Sequence, residues 1–143
     1  VMNYGCTLSA PASVSLDSDN PDSTIFVGAQ CADAAETSSD SITAWLSAEA
    51  SGASRELATD SQNLEVAGSN GDIYVRGNWS ASPPSCSESD MHFDGRLGIS
   101  LGKVSPNQSV NFGVFPLSFR LCASDNAAPG EYTAQATISI VQR

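Results

Sequence analysis

Alternation of apolar and polar residues, interrupted roughly every eight to twelve positions by turn residues, is the feature that most constrains this chain. It is most regular in the stretch GEYTAQATISIVQR, Gly130 to Arg143. There Tyr132, Ala134, Ala136, Ile138 and Ile140 fall on one face of an extended strand. Glu131, Thr133, Gln135, Thr137 and Ser139 fall on the other. An amphipathic helix needs apolar residues three and four apart, and that pattern is nearly absent. Only Ser41–Ala50 reads either way; as a strand it puts Ile42, Ala44, Leu46 and Ala48 on one face and Trp45 on the other.

The same period predicts further strands. One runs over Cys6–Leu16, with Leu8, Ala10, Ala12, Val14 and Leu16 in phase, and one over Thr24–Cys31. Short ones are expected near Arg55–Ala58 and Asn63–Val66, and longer ones over Asp72–Ser80 and Arg96–Val104. The strand over Ser109–Cys122 carries Val110, Phe112, Val114, Phe115, Leu117, Phe119 and Leu121. Turn chemistry separates them: the Asp/Asn-rich run Asp17–Ser23, with φ fixed at Pro21, and the hairpin pair Asn70-Gly71. A polar loop is expected after Cys31. The pattern is that of an all-β sandwich or barrel, and at 143 residues a single domain, 1–143, is the simplest division.

Composition narrows the function classes. Sixteen acidic residues against six basic ones give a net charge of −10. With no basic stripe, nucleic acid is not an expected partner. The acidity also repels anionic membrane surfaces, and no apolar run approaches the ~18 residues that span a bilayer. The start, Val1-Met2-Asn3-Tyr4, is not a charged segment leading into an apolar run, so the chain reads as a mature or trimmed product.

Four cysteines, Cys6, Cys31, Cys86 and Cys122, contain no C-x-x-C pair, and His92 is the single histidine. Zinc therefore lacks its usual ligand clusters, and two disulfides are expected. Three connectivities are open; we prefer the sequential one, Cys6–Cys31 with Cys86–Cys122. Disulfides imply an oxidising compartment.

No catalytic residue is assigned. His92 lies between Asp90 and Asp94, but no G-x-S-x-G nucleophile turn accompanies it. The oxygen-rich run Asp17, Asp19, Asn20 and Asp22 has Pro21 at the fifth position and Asp22 where an EF-hand loop needs glycine, so it reads as a solvated turn. No metal or cofactor is expected.

The two ends of the chain resemble the chaperone–usher fimbrial (pilus) subunit family. Cys6 opens the first strand and Cys31 closes the second. A Pro-Gly turn, Pro129-Gly130, precedes the last strand. In that family a glycine stands fourteenth from the C-terminus, with apolar residues fourth, sixth and eighth from it. Here those places hold Gly130, Ile140, Ile138 and Ala136. CTLSAPASVSL is similar to the family's first strand, and APGEYT resembles the Dr/Afa-type adhesive fimbriae.

The resemblance implies an immunoglobulin-like β-sandwich that lacks one strand and is completed by a donor strand from another molecule. A periplasmic chaperone would fill the groove first and, at the usher, a neighbouring pilus subunit would replace it. Gly130, Ala136, Ile138 and Ile140 would border the groove, with Phe112, Val114, Leu117 and Phe119 as its floor. The protein would be non-enzymatic, reach a cell-surface fimbria via the periplasm, and act in structure or adhesion, with a host receptor as a further partner. The alternative is an autonomous secreted β-sandwich that binds carbohydrate or protein through its loops, with Trp45 and Trp79 as the residues to test.

Overall fold

A computed structural model describes residues 5–32, 42–57, 60–105 and 108–143. Most of the polar loop expected after Cys31 lies outside them, as does Ala58. The described residues form eight strands: β1 (Gly5–Ser9), β2 (Asp22–Ala32), β3 (Ile42–Ala50), β4 (Leu64–Glu65), β5 (Ile73–Asn78), β6 (Asp94–Val104), β7 (Ser109–Ala123) and β8 (Ala136–Gln142). A single helical turn, α1 (Ser54–Leu57), follows β3. The five-stranded sheet has the order β1-β2-β7-β5-β4 and the three-stranded sheet the order β6-β3-β8, with every pairing antiparallel. This is the expected all-β, immunoglobulin-like sandwich.

Alternation decides which residues meet between the sheets. On β3, Ala44, Leu46, Ala48 and Ala50 are buried, whereas Trp45 on the other face is half-buried. Facing them are Val27 of β2 and Leu117 of β7, joined by Leu64, Met91 and Phe93 in one cluster. Burying side chains of this size stabilises by about 1.5–3 kcal/mol each. A second cluster, Cys31, Ala44 and Val104, lies near the Cys6–Cys31 bridge. The other bridge, Cys86–Cys122, ties the 79–93 loop to β7. On the chain-entropy model each contributes roughly 3–4 kcal/mol.

Three segments depart from the sequence reading. The first strand stops at Ser9: Ala10, Ala12 and Val14 are exposed although they are in phase. Pro11 has no N–H to give to a ladder, so alternation there lacks a bonded partner. The segment at Arg55 is helical because the chain reverses after Ala50. Gly52 adopts φ +57°, and Arg55 N–H bonds its carbonyl while the guanidinium Nε reaches the Ala50 carbonyl. The last strand starts at Ala136, not Gly130. Gln135 is held by Ser51 N–H and Ser54 Oγ, and Tyr132 Oη donates to the Ala128 carbonyl. The Asn70-Gly71 hairpin forms, both residues at positive φ, with Asp72 N–H bonded to the Ser69 carbonyl.

Candidate functional site: the free edge of β8

Every open sheet has edges, and what matters is how each is protected. In this sandwich β4 is two residues long. β1 has five residues, and a disulfide joins it to β2. β6 carries Asp94, Arg96 and Lys103, and its pairing with β3 shifts register three times. Charges, bulges and shortness all discourage another strand from adding. β8 has none of these. Its seven residues, ATISIVQ, contain no charge and no proline, and they pair with β3 in unbroken register from Ala136↔Ala50 to Gln142↔Ala44.

The hydrogen-bond phase of β8 follows from its end. Arg143 N–H bonds Thr43 O at 2.8 Å, and Thr43 N–H bonds Arg143 O at 3.1 Å. In an antiparallel pair such doubly bonded positions recur at every second residue. Thr137, Ser139 and Val141 therefore face β3 with their N–H and C=O groups. Ala136, Ile138, Ile140 and Gln142 turn theirs to the outer edge, with which no described strand pairs. These four also point their side chains into the sandwich, and all are only half-buried. The edge thus offers a bare ladder and an incomplete apolar surface at the same residues.

The two sides of the sandwich differ in how the core is closed. On the β5/β6 side, Met91 and Phe93 are fully buried, and Met91 N–H bonds the Gly77 carbonyl. Trp79, directly after β5, lays its indole on Gly98 of β6 so closely that a β-carbon there would collide with the ring. On the other side β1 and β8 come within 8 Å of one another without pairing, and Leu8, Ile138 and Ile140 are the half-buried residues there.

The expected site residues separate under this geometry. Ala136, Ile138, Ile140, Leu117 and Phe119 share one apolar cluster. Phe112 belongs to the second cluster, which Ile140 also touches, and its ring packs at Gly102 of β6. Val114 does not face the core: it is 68% exposed, on the outer face with Phe26. The register shift opposite Ala29/Gln30 inserts an extra residue in β7 and reverses its phase between Phe112 and Val114. Gly130 lies before the start of β8 at Ala136, at φ +156° beside the Tyr132 ring.

Gln142 was not assigned to the site from sequence. Its Nε2 is buried with no hydrogen-bond partner. A group so placed costs about 1–3 kcal/mol while it stays unpaired.

Polar clusters elsewhere are held by local hydrogen bonds. His92 Nδ1 lies 2.7 Å from Ser61 Oγ, but among the described residues no carboxylate bonds the ring to orient it. Buried Arg76 bonds Asn63 Oδ1 and Ser89 Oγ. The Asp17 carboxylate accepts N–H bonds from Asp19 and Asn20, which makes its cluster a turn. Arg96 donates to both oxygens of Asp94 and holds that carboxyl below the ordinary carboxylate range.

No family model matches the sequence, and no curated protein matches it. Among solved structures the chain is similar to the crystal structure of the P pilus rod subunit PapA, with a TM-score of 0.58 at 12% sequence identity. The alignment covers 96% of this chain and 99% of that one. At this identity the likeness establishes a pilin-like fold and does not single out the Dr/Afa type.

Proposed function

We propose that this chain is a non-enzymatic structural or adhesive subunit of a surface fimbria, and that a β-strand from another molecule completes its sandwich along β8. The observation that carries the reading is the contrast among edges: β8 alone among the described edge strands is long, regular, uncharged and half-open to the core. Adding a strand there would satisfy the outward N–H and C=O groups of Ala136, Ile138, Ile140 and Gln142 and bury their side chains, which is β-augmentation. The pilin-like fold and the two disulfides support a route through an oxidising compartment to the cell surface. In this reading a periplasmic chaperone guards the edge, an usher exchanges it for a neighbouring subunit, and a host receptor is a further partner where the subunit is adhesive. Trp79 is half-buried and packs on Gly98 and the core cluster, which supports a part in closing the sandwich.

The test is expression in an oxidising compartment. Alone, the chain should aggregate or be degraded. A fused alternating apolar strand, or a co-expressed periplasmic chaperone of fimbrial type, should convert it to a soluble monomer. A stable monomer whose yield and Tm respond to neither would overturn the reading.

A further inference from the structure

Ile138 and Ile140 offer an added strand two nearly equivalent apolar places. A slip of two residues keeps every side chain on its own face, so apolar contacts alone specify register weakly. Gln142 breaks this equivalence. It stands across from fully buried Ala44, whose cluster contains Cys31 and Val104, with Cys6, Val110, Phe112 and Ile140 packed around it. These side chains contribute no oxygen, and the buried Nε2 has no acceptor. The backbone of Gln142 faces the free edge, so an antiparallel strand would pair with it through both N–H···O bonds. The facing Cα would then sit about 5.5 Å away. A side chain on that residue, directed inward, is within reach of the amide.

We infer that Gln142 sets the register of the added strand, and that this strand carries a polar residue with a side-chain oxygen, Asn being the simplest, facing Gln142. Apolar residues face Ile140, Ile138 and Ala136. In register, the amide pairs with its acceptor. Slipped by two, the polar residue meets Ile140 and both polar groups are stranded, much as a single buried Asn fixes register in a coiled coil. The inference rests on the strand-addition reading and specifies the chemistry of its partner.

The experiment uses the full chain with an antiparallel strand fused after Arg143 through three loop residues, so that Arg143 and these three form a four-residue hairpin loop closed by the doubly bonded pair at Gln142 and the facing residue is set. Two fusions differ only in the inward residue facing Gln142, Asn or Leu, and each is also made with Gln142→Leu. With Gln142 present, the Asn fusion should melt higher by about 4 °C or more, an amount a single buried hydrogen bond can supply. With Gln142→Leu the order should reverse. A Leu fusion as stable as the Asn fusion in the unsubstituted chain overturns the inference and leaves strand addition standing. If neither fusion melts above the unfused chain, strand addition itself fails, and the inference with it.

Discussion

Ile138 stands directly across from Ala48 in the β3–β8 ladder, yet its own N–H and C=O point the other way, toward an edge with which no described strand pairs. Ala48 is fully buried; Ile138 is only half-buried. The two residues mark the boundary between the closed part of the core and the open part.

Amide exchange should therefore alternate along β8. In the unassembled chain, Thr137, Ser139 and Val141 exchange slowly because β3 holds them, while Ile138, Ile140 and Gln142 exchange fast. Adding a strand slows the second set. NMR-detected exchange reads this residue by residue. Equal protection of both sets before assembly would mean the edge is already occupied.

Ile138→Asp should prevent folding or assembly, because it places an unpaired charge against the core, at a cost of about 3 kcal/mol or more. Thr137→Lys, one position along on the exposed face and opposite Glu49, should stay within about 0.5 kcal/mol of the parent. Denaturant titration of strand-fused forms compares the two. Similar losses in both would show that the inward face of β8 is misassigned.

The phase reversal in β7 makes a paired prediction. Val114→Asp should change stability by no more than about 0.5 kcal/mol. Leu117→Ala should cost about 2–5 kcal/mol, since Leu117 is buried at the centre of the cluster. A severe Val114→Asp phenotype in the monomer would restore Val114 to the core.

Gly98→Ala should destabilise by about 1–3 kcal/mol and alter the Trp79 fluorescence, because the new methyl occupies the space of the indole. The backbone at Gly98 is not in the left-handed region, so the cause is steric. If the substitution left both stability and emission unchanged, Trp79 would not be packed there.

Arg96 lowers the pKa of Asp94, chiefly through the side-chain hydrogen bond. The unfolded chain then binds the proton more readily than the folded one. The stabilising contribution is complete above the ordinary carboxylate pKa and is lost as pH falls through the depressed value. In an NMR titration Asp94 should protonate at lower pH than an unpaired aspartate, and Arg96→Gln should raise its midpoint. An unmoved midpoint would show that the pair does not persist in solution.

Much of the fold was legible locally. The strands at Thr24–Cys31, Arg96–Val104 and Ser109–Cys122 match β2, β6 and β7 closely, because period-two alternation reports a half-buried strand whatever lies beside it. The inward set Ala136, Ile138 and Ile140 followed from the same period. Val114 was misplaced because a bulge is a property of two paired strands. The helical turn at Arg55 and the late start of β8 were missed because both depend on where β3 ends. Gln142, which stands next to last where the resembled family often has an aromatic residue, was not assigned to the site because nothing in an alternating strand shows that its amide is buried without a partner. Ser61 and His92 lie 31 residues apart with no motif to link them.

By itself the sequence settled what most segments would be: strand, turn or hairpin. These are responses of a few neighbouring side chains to backbone geometry and water. Only the tertiary structure decided which strand would be left at an edge and how each edge would be guarded. It also decided which side of the core Trp79, Met91 and Phe93 would close. An edge is defined by the absence of a neighbour, and that depends on every other segment having already taken its place.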